Sequence, residues 1–135
     1  MKDILNYIPQ RPPFVMVDEF LGMENNVSRT SLTIREDNLF VDEGLFSECG
    51  LIEHIAQSAA ARAGYLASAA GLSSGIGYIG SVEDLTVIKL PSAGDTVETY
   101  IAIVKEVMNV TLIQARCLVH SQEAATCRMK IFLKE

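Results

Sequence analysis

Glu53 is the residue best placed for acid or base chemistry, because it sits in the most apolar stretch of the chain, among Leu51, Ile52 and Ile55. Such neighbours argue for a desolvated carboxyl group, the setting a general acid needs. A carboxylate in the first turns of a helix is also favoured by the macrodipole, so a purely structural Glu53 is the competing reading. Gln57 follows one turn later on the same face, where its amide can orient the carboxyl group, bond a substrate carbonyl or satisfy a buried neighbour. His54 is next to Glu53 in sequence, but adjacent helical residues point about 100° apart. It is therefore expected at the surface or in a dimer contact, outside any pocket that Glu53 faces. His120, among Gln and Arg residues, is expected to be exposed. Cys49 has no histidine beside it to activate its thiol and reads as a small core residue.

These side chains need a long helix to carry them. The apolar window from Cys49 to Leu72 has eight alanines and an internal Gly64, which make it thin enough for a sheet to approach closely. Its length would let it cross a bilayer, but Glu53, His54, Gln57 and Arg62 interrupt it and no basic cluster flanks it, so a buried helix is expected instead. Ser47 is its N-cap, with Glu48 in the first turn and Phe46 stapled against Leu51. Gly71 is its stop. Upstream, Pro9, Pro12 and Pro13 impose an extended, bent path on Ile8 to Phe14. Phe14 to Met23 and Val27 to Arg35 read as a strand hairpin turning at Asn25 and Asn26. Downstream, Gly77 to Lys89, Thr96 to Val107, Val110 to Ser121 and Ala124 to Lys134 read as four strands, antiparallel because their connections are short. The clearest alternation sets Cys127, Met129, Ile131 and Leu133 on a core face against Arg128, Lys130, Phe132 and Lys134. Two strands, a helix and four strands make an α+β domain, with an antiparallel sheet wrapped around one long central helix.

At 135 residues and 49% hydrophobic, the chain is expected to be one domain, residues 1–135, with a proper core. Its net charge of −6 offers no long-range attraction to nucleic acid or anionic lipid, so neither nucleic acid nor membrane is an expected partner. Cys49, Cys117 and Cys127 are odd in number and widely spaced, and only two histidines accompany them. That pattern suggests neither a disulfide framework nor a metal site and fits a reducing compartment. The first residues contain no apolar stretch of signal-peptide length, so a cytoplasmic location is expected.

Three segments in order resemble one known family. Ile8-Pro9-Gln10-Arg11-Pro12-Pro13-Phe14-Val15-Met16-Val17-Asp18 is similar to the "LPHR-PFLLVD" segment of the beta-hydroxyacyl-[acyl-carrier-protein] dehydratases. Glu53-His54-Ile55-Ala56-Gln57 matches their "E-x-M-A-Q" helix. Lys89-Leu90-Pro91-Ser92-Ala93-Gly94-Asp95-Thr96-Val97 is similar to their "P-x-x-x-GD" approach to a long strand. A closer likeness is to the short dehydratase-like subunits of aryl polyene and flexirubin pathways, whose helix starts "GIE-x-MAQ"; here Gly50-Leu51-Ile52-Glu53 is one residue longer.

The resemblance implies the hot-dog fold and dehydration of a 3-hydroxyacyl thioester, in which a histidine takes the α-proton and a helix carboxyl group protonates the departing hydroxyl. Glu53 takes the place of that acid. Gln10 stands where the histidine would, and a neutral amide accepts no proton. The "GHFP" loop of the standard enzymes is replaced by Glu43-Gly44-Leu45-Phe46-Ser47-Glu48. Gln57, Arg11, Phe14 and Gly50 become the implied substrate-binding residues, with Arg11 beside the pocket and able to meet a phosphopantetheine arm or an acidic carrier surface. Arg128, Lys130 and Lys134 share a strand face that reads as solvated edge. The implied partners are an acyl carrier protein or a coenzyme A thioester, and a second copy in a homodimer, a higher oligomer or a heterodimer with a catalytic hot-dog subunit. No cofactor is implied. Dehydration in fatty-acid or polyene synthesis is the first expectation. Hydrolysis of the thioester through Glu53, and a non-catalytic acyl-binding or partner subunit, are the alternatives that Gln10 favours.

Overall fold

The computed structural model describes residues 3–72 and 76–134. Strands β1 (Glu19–Glu24) and β2 (Val27–Thr33) precede a short hairpin of β3 (Val41–Asp42) and β4 (Leu45–Phe46). Helix α1 (Glu48–Ala69) follows, and then β5 (Ile76–Val87), β6 (Thr96–Val107), β7 (Val110–Val119) and β8 (Gln122–Lys134). The six longer strands form one sheet in the order β1-β2-β6-β7-β8-β5, and every neighbouring pair is antiparallel. The expected α+β arrangement, a six-stranded antiparallel sheet wrapped around one long helix, is the hot-dog fold.

The local causes of α1 are the expected ones. Ser47 caps it by accepting from Gly50 N at 3.2 Å, which satisfies one of the free N–H groups of the first turn. Gly71 ends it in the left-handed region (φ 73°), and Leu72 N bonds back to Ala67 O at 2.8 Å, a closure that favours glycine. The first hairpin turns through Asn25 and Asn26, both at positive φ, as a two-residue turn between twisted strands requires.

Two strand expectations need correction. The first strand begins at Glu19, not Phe14. The backbone of Phe14 to Met16 is satisfied by side chains of α1: Gln57 donates to Phe14 O and accepts from Met16 N, and His54 Nδ1 lies 2.7 Å from Met16 O. Residues 14–17 are thus a strap laid on the helix instead of a rung of the sheet. The strand expected to start at Ala124 starts at Gln122, because the β7–β8 turn is made by His120 and Ser121, both at positive φ. The small β3–β4 hairpin went unforeseen.

The main core joins the concave face of the sheet, including Ile101, Ile113, Cys117 and Met129, to Leu51 and Ile55 of α1. On β8, Cys127 and Met129 are buried while Arg128 and Lys130 are exposed, as alternation required; the side chains of Leu133 and Lys134 lie outside the described residues. A smaller cluster closes the other side of the helix, where the rings of Tyr7, Phe20 and Tyr65 meet at centroid distances of 4.6 to 5.9 Å. Gly64 lets the chain at Tyr7 lie directly on α1, since a methyl group there would overlap the Tyr7 backbone. Among the described residues no helix is long and apolar enough to cross a membrane.

Candidate functional site

Between α1 and the four strands β6, β7, β8 and β5 lies a cavity of about 500 Å³. Ala56, Ala59, Ala60 and Ala63 form its helical wall; larger side chains at these positions would fill it. Ile101, Ile103, Ile113 and Ile131 line the sheet side, and Pro9 and Gln10 bring in the N-terminal segment. An apolar slot with a few polar groups is the usual form of a small-molecule site.

Glu53 lines this cavity. Its Oε1 accepts from Gln57 Nε2 at 3.0 Å, the i, i+4 pairing expected of two residues on one helical face. Gln57 is 1% exposed, and the rest of its amide is committed to the strap, donating to Phe14 O at 2.9 Å and accepting from Met16 N at 2.7 Å. Gln57 therefore holds the Glu53 carboxyl group from behind and is absent from the cavity wall. Its bonds orient the Glu53 carboxyl group and satisfy the buried backbone of the strap.

Gln10 also lines the cavity, and its Oε1 is buried with no hydrogen-bond partner. Among the described residues no hydrogen bond joins Gln10 to Glu53, and no histidine lines the cavity. Arg11 is exposed and turns back on its own loop, its Nη1 donating to Ile8 O at 2.8 Å and Gln10 O at 2.7 Å. Phe14 is 60% exposed, and only its carbonyl group touches the Glu53–Gln57 pair, through Gln57. Gly50 is buried against Phe40 and Phe46, where an added methyl group would collide with both. The structure thus places Glu53 and Gln10 on the cavity wall and Gln57 behind Glu53, and leaves Arg11, Phe14 and Gly50 off the wall.

His54 is fully buried, which corrects the surface or dimer-contact expectation. It faces the sheet, away from the cavity, with Nδ1 2.7 Å from Met16 O and Nε2 2.7 Å from Thr99 Oγ1. The carbonyl can only accept, so Nδ1 carries the proton and Nε2 accepts from the Thr99 hydroxyl. Thr99 Oγ1 is also 3.3 Å from Cys117 Sγ; with its proton committed to His54, it accepts there from the thiol. Burial lowers the His54 pKa from 6.5 to about 4, and the Met16 carbonyl opposes this only in part. The ring is neutral and structural at neutral pH. Cys49, expected in the core, is exposed. His120 is exposed as expected, 3.3 Å from Asp95.

Arg62 and Glu106 also line the cavity, and neither was singled out as a site residue from the sequence. Arg62 Nε is buried without a partner, while Nη2 donates to Asn26 O at 3.4 Å. Burial lowers the Arg62 pKa and the charge of Glu106 opposes that shift. Strict alternation along β6 would turn Lys105 inward with Ile101 and Ile103. A bulge between Ile103 and Lys105 resets the register, so that Glu106 pairs with Thr111 and shares the inner face of Ile113. Arg62 was visible as a charge in an apolar run, but the bulge left no sign in the residue pattern.

The ApeP dehydratase model of the ApeP-like family matches residues 2–135. No curated protein matches the sequence. Among solved structures, the dehydratase heterocomplex ApeI:P from Xenorhabdus doucetiae superposes with a TM-score of 0.92 at 13% identity, covering 100% of this chain and 93% of that one. A hypothetical thioesterase with coenzyme A from Streptococcus pneumoniae gives 0.67 at 9% identity, covering 86% and 84%. The E. coli PaaI protein from the phenylacetic acid degradation operon gives 0.64 at 11%, covering 84% and 81%. At these identities the structural likeness speaks for the fold.

Proposed function

The chain belongs to the ApeP-like dehydratase family, and on that premise we propose that it binds 3-hydroxyacyl thioesters of an acyl carrier protein or coenzyme A, in fatty-acid or polyene synthesis, as a dehydratase subunit lacking its own base. The observation that carries this reading is that the cavity wall includes a carboxyl group held by Gln57 and an amide at Gln10 and, among the described lining residues, no histidine.

Dehydration removes a proton from C2, moves that electron pair into the C2–C3 double bond, and expels the C3 hydroxyl as water after it takes a proton. Two carboxyl groups line the cavity, Glu53 and Glu106, and the one that gives this proton in our reading is Glu53, which Gln57 holds in place. The unpartnered Gln10 Oε1 can accept a hydrogen bond from the substrate hydroxyl and so orient it, but an amide does not take up the C2 proton. The base must then come from another chain. The heteromeric assembly named for the Xenorhabdus dehydratase supports a catalytic hot-dog subunit as its source. Thioester hydrolysis is the second reading, supported by the pairing of Glu53 with an amide and by the thioesterase neighbour; Glu53 would then activate water.

Mass spectrometry of acyl carrier thioesters incubated with the purified chain tests these readings together, using 3-hydroxyacyl, enoyl and saturated acyl forms. The chain alone is expected to bind them with little or no dehydration, and Gln10→His is expected to raise turnover, since a general base contributes a factor of about 10² to 10⁴. Dehydration by the unaltered chain at full enzymatic rates would show that another residue is the base. Release of free acid from the saturated form would move the assignment to hydrolysis.

A further inference from the structure

Among the described residues, two buried side-chain polar atoms have no hydrogen-bond partner, Gln10 Oε1 and Arg62 Nε, and both belong to residues lining the cavity. A buried polar group left unpaired is costly, so each such atom calls for an explanation, and a partner supplied by a bound molecule is one. They are of opposite kinds, one an acceptor and one a donor. Gln10 has its role in the reading above.

Arg62 needs a different partner. It lies nine residues after Glu53, which is two and a half turns and about 14 Å along the axis, so the two residues stand on opposite sides of α1. The wall between them is made of Ala56, Ala59, Ala60 and Ala63 facing isoleucines, apolar throughout. At the Arg62 end the bulge on β6 turns a second polar group, Glu106, to the inner face. The cavity therefore has a polar region at Glu53, an apolar middle and a second polar region at Arg62 and Glu106. A chain ending in a methyl group would leave Nε–H unpaired. One ending in a carboxylate would meet Glu106, in a protein that already carries a net charge of −6. A hydroxyl group can accept from Nε–H and donate to the Glu106 carboxylate.

Building on the acyl-thioester reading, we infer that the Arg62–Glu106 end of the cavity is a subsite for a hydroxyl group at the far end of the acyl chain, with Arg62 Nε as donor and Glu106 as acceptor. Arg62 and Glu106 are then specificity-determining residues, distant from the reacting carbons.

The test measures binding of the full chain to two matched series of N-acetylcysteamine thioesters, octanoyl to tetradecanoyl, one methyl-terminated and one ω-hydroxylated. At the length that spans the cavity, the hydroxylated form should bind about tenfold more tightly, the size of one well-made hydrogen bond to a charged group. Arg62→Met should abolish that preference while leaving the methyl-terminated series bound at least as well. Glu106→Leu, at an exposed position, should reduce the preference while Arg62 stays in place. Equal binding of the two series at every length would overturn the subsite and leave the acyl-binding reading standing, with Arg62 Nε bonded to water. So would a preference that survives both substitutions. Failure of every thioester to bind would remove the acyl-binding reading itself, and the subsite with it.

Discussion

Glu53 carries two physical roles that one substitution separates. It is the sixth residue of α1, past the first turn, where the macrodipole acts most strongly. Its carboxyl group is bonded by Gln57 and lines the cavity. Glu53→Gln keeps the shape and an oxygen able to accept from Gln57, so the fold and the binding of a saturated acyl thioester are expected to persist. Proton donation is lost with the ionisable group. Turnover in a Gln10→His background, or in complex with a catalytic subunit, should therefore vanish. Melting temperature, thioester retention and turnover would be compared between the two proteins. Unchanged turnover with a stability loss of about 0.3 to 1 kcal/mol would make Glu53 a helix-dipole residue alone.

At the scale of elements, the strap that brings Gln10 to the cavity is held on α1 by His54 and Gln57, and the same histidine reaches β6 through Thr99. That linkage is pH-dependent. The His54 pKa falls from 6.5 to about 4 on folding because burial disfavours the charged ring. Below pH 6.5 the unfolded chain binds the proton more readily than the folded one, so stability declines as the pH drops. The contribution is present in full above pH 6.5 and is lost by about pH 4; a shift of this size corresponds to about 3 kcal/mol. Denaturant midpoints measured across this range should fall, and His54→Gln should flatten that part of the profile. A profile of equal slope in the variant would assign the acid sensitivity to other groups.

For the whole molecule, among the described residues the sheet ends in two unpaired edges, β1 and β5. On β5 the stretch Gly77 to Ile79 lines the cavity while Tyr78 and Ile79 remain exposed, with Phe132 of β8 beside them at an equally exposed site. A free, apolar strand edge favours pairing with another chain. The protein is expected to form at least a dimer, with itself or with a second hot-dog subunit, and that contact would close the β5 side of the cavity. Light scattering at micromolar concentration, alone and with a candidate partner, checks this. Monomer in both cases would refute it.

The residue pattern alone was enough to read the α+β class, the wrapped helix with its Ser47 cap and Gly71 stop, the hairpin at Asn25 and Asn26, and the candidate pair of Glu53 and Gln57. Each depends on local propensity or on a fixed periodicity, and both are written in the order of residues. Tertiary structure decided the rest. His54 and Glu53 are neighbours in sequence, yet one is sealed between helix and sheet and the other lines a cavity, because the strap and β6 occupy only one side of α1. The strap looked like a strand until its backbone found helix side chains as partners. Gly50 looked like part of a binding motif and is a packing contact with Phe40 and Phe46. Glu106 faces the cavity only because one extra residue in β6 shifts the register, and nothing in that stretch of sequence announces a bulge. Which side of an element meets water, core or cavity depends on what is packed against it, and that is settled when distant segments meet.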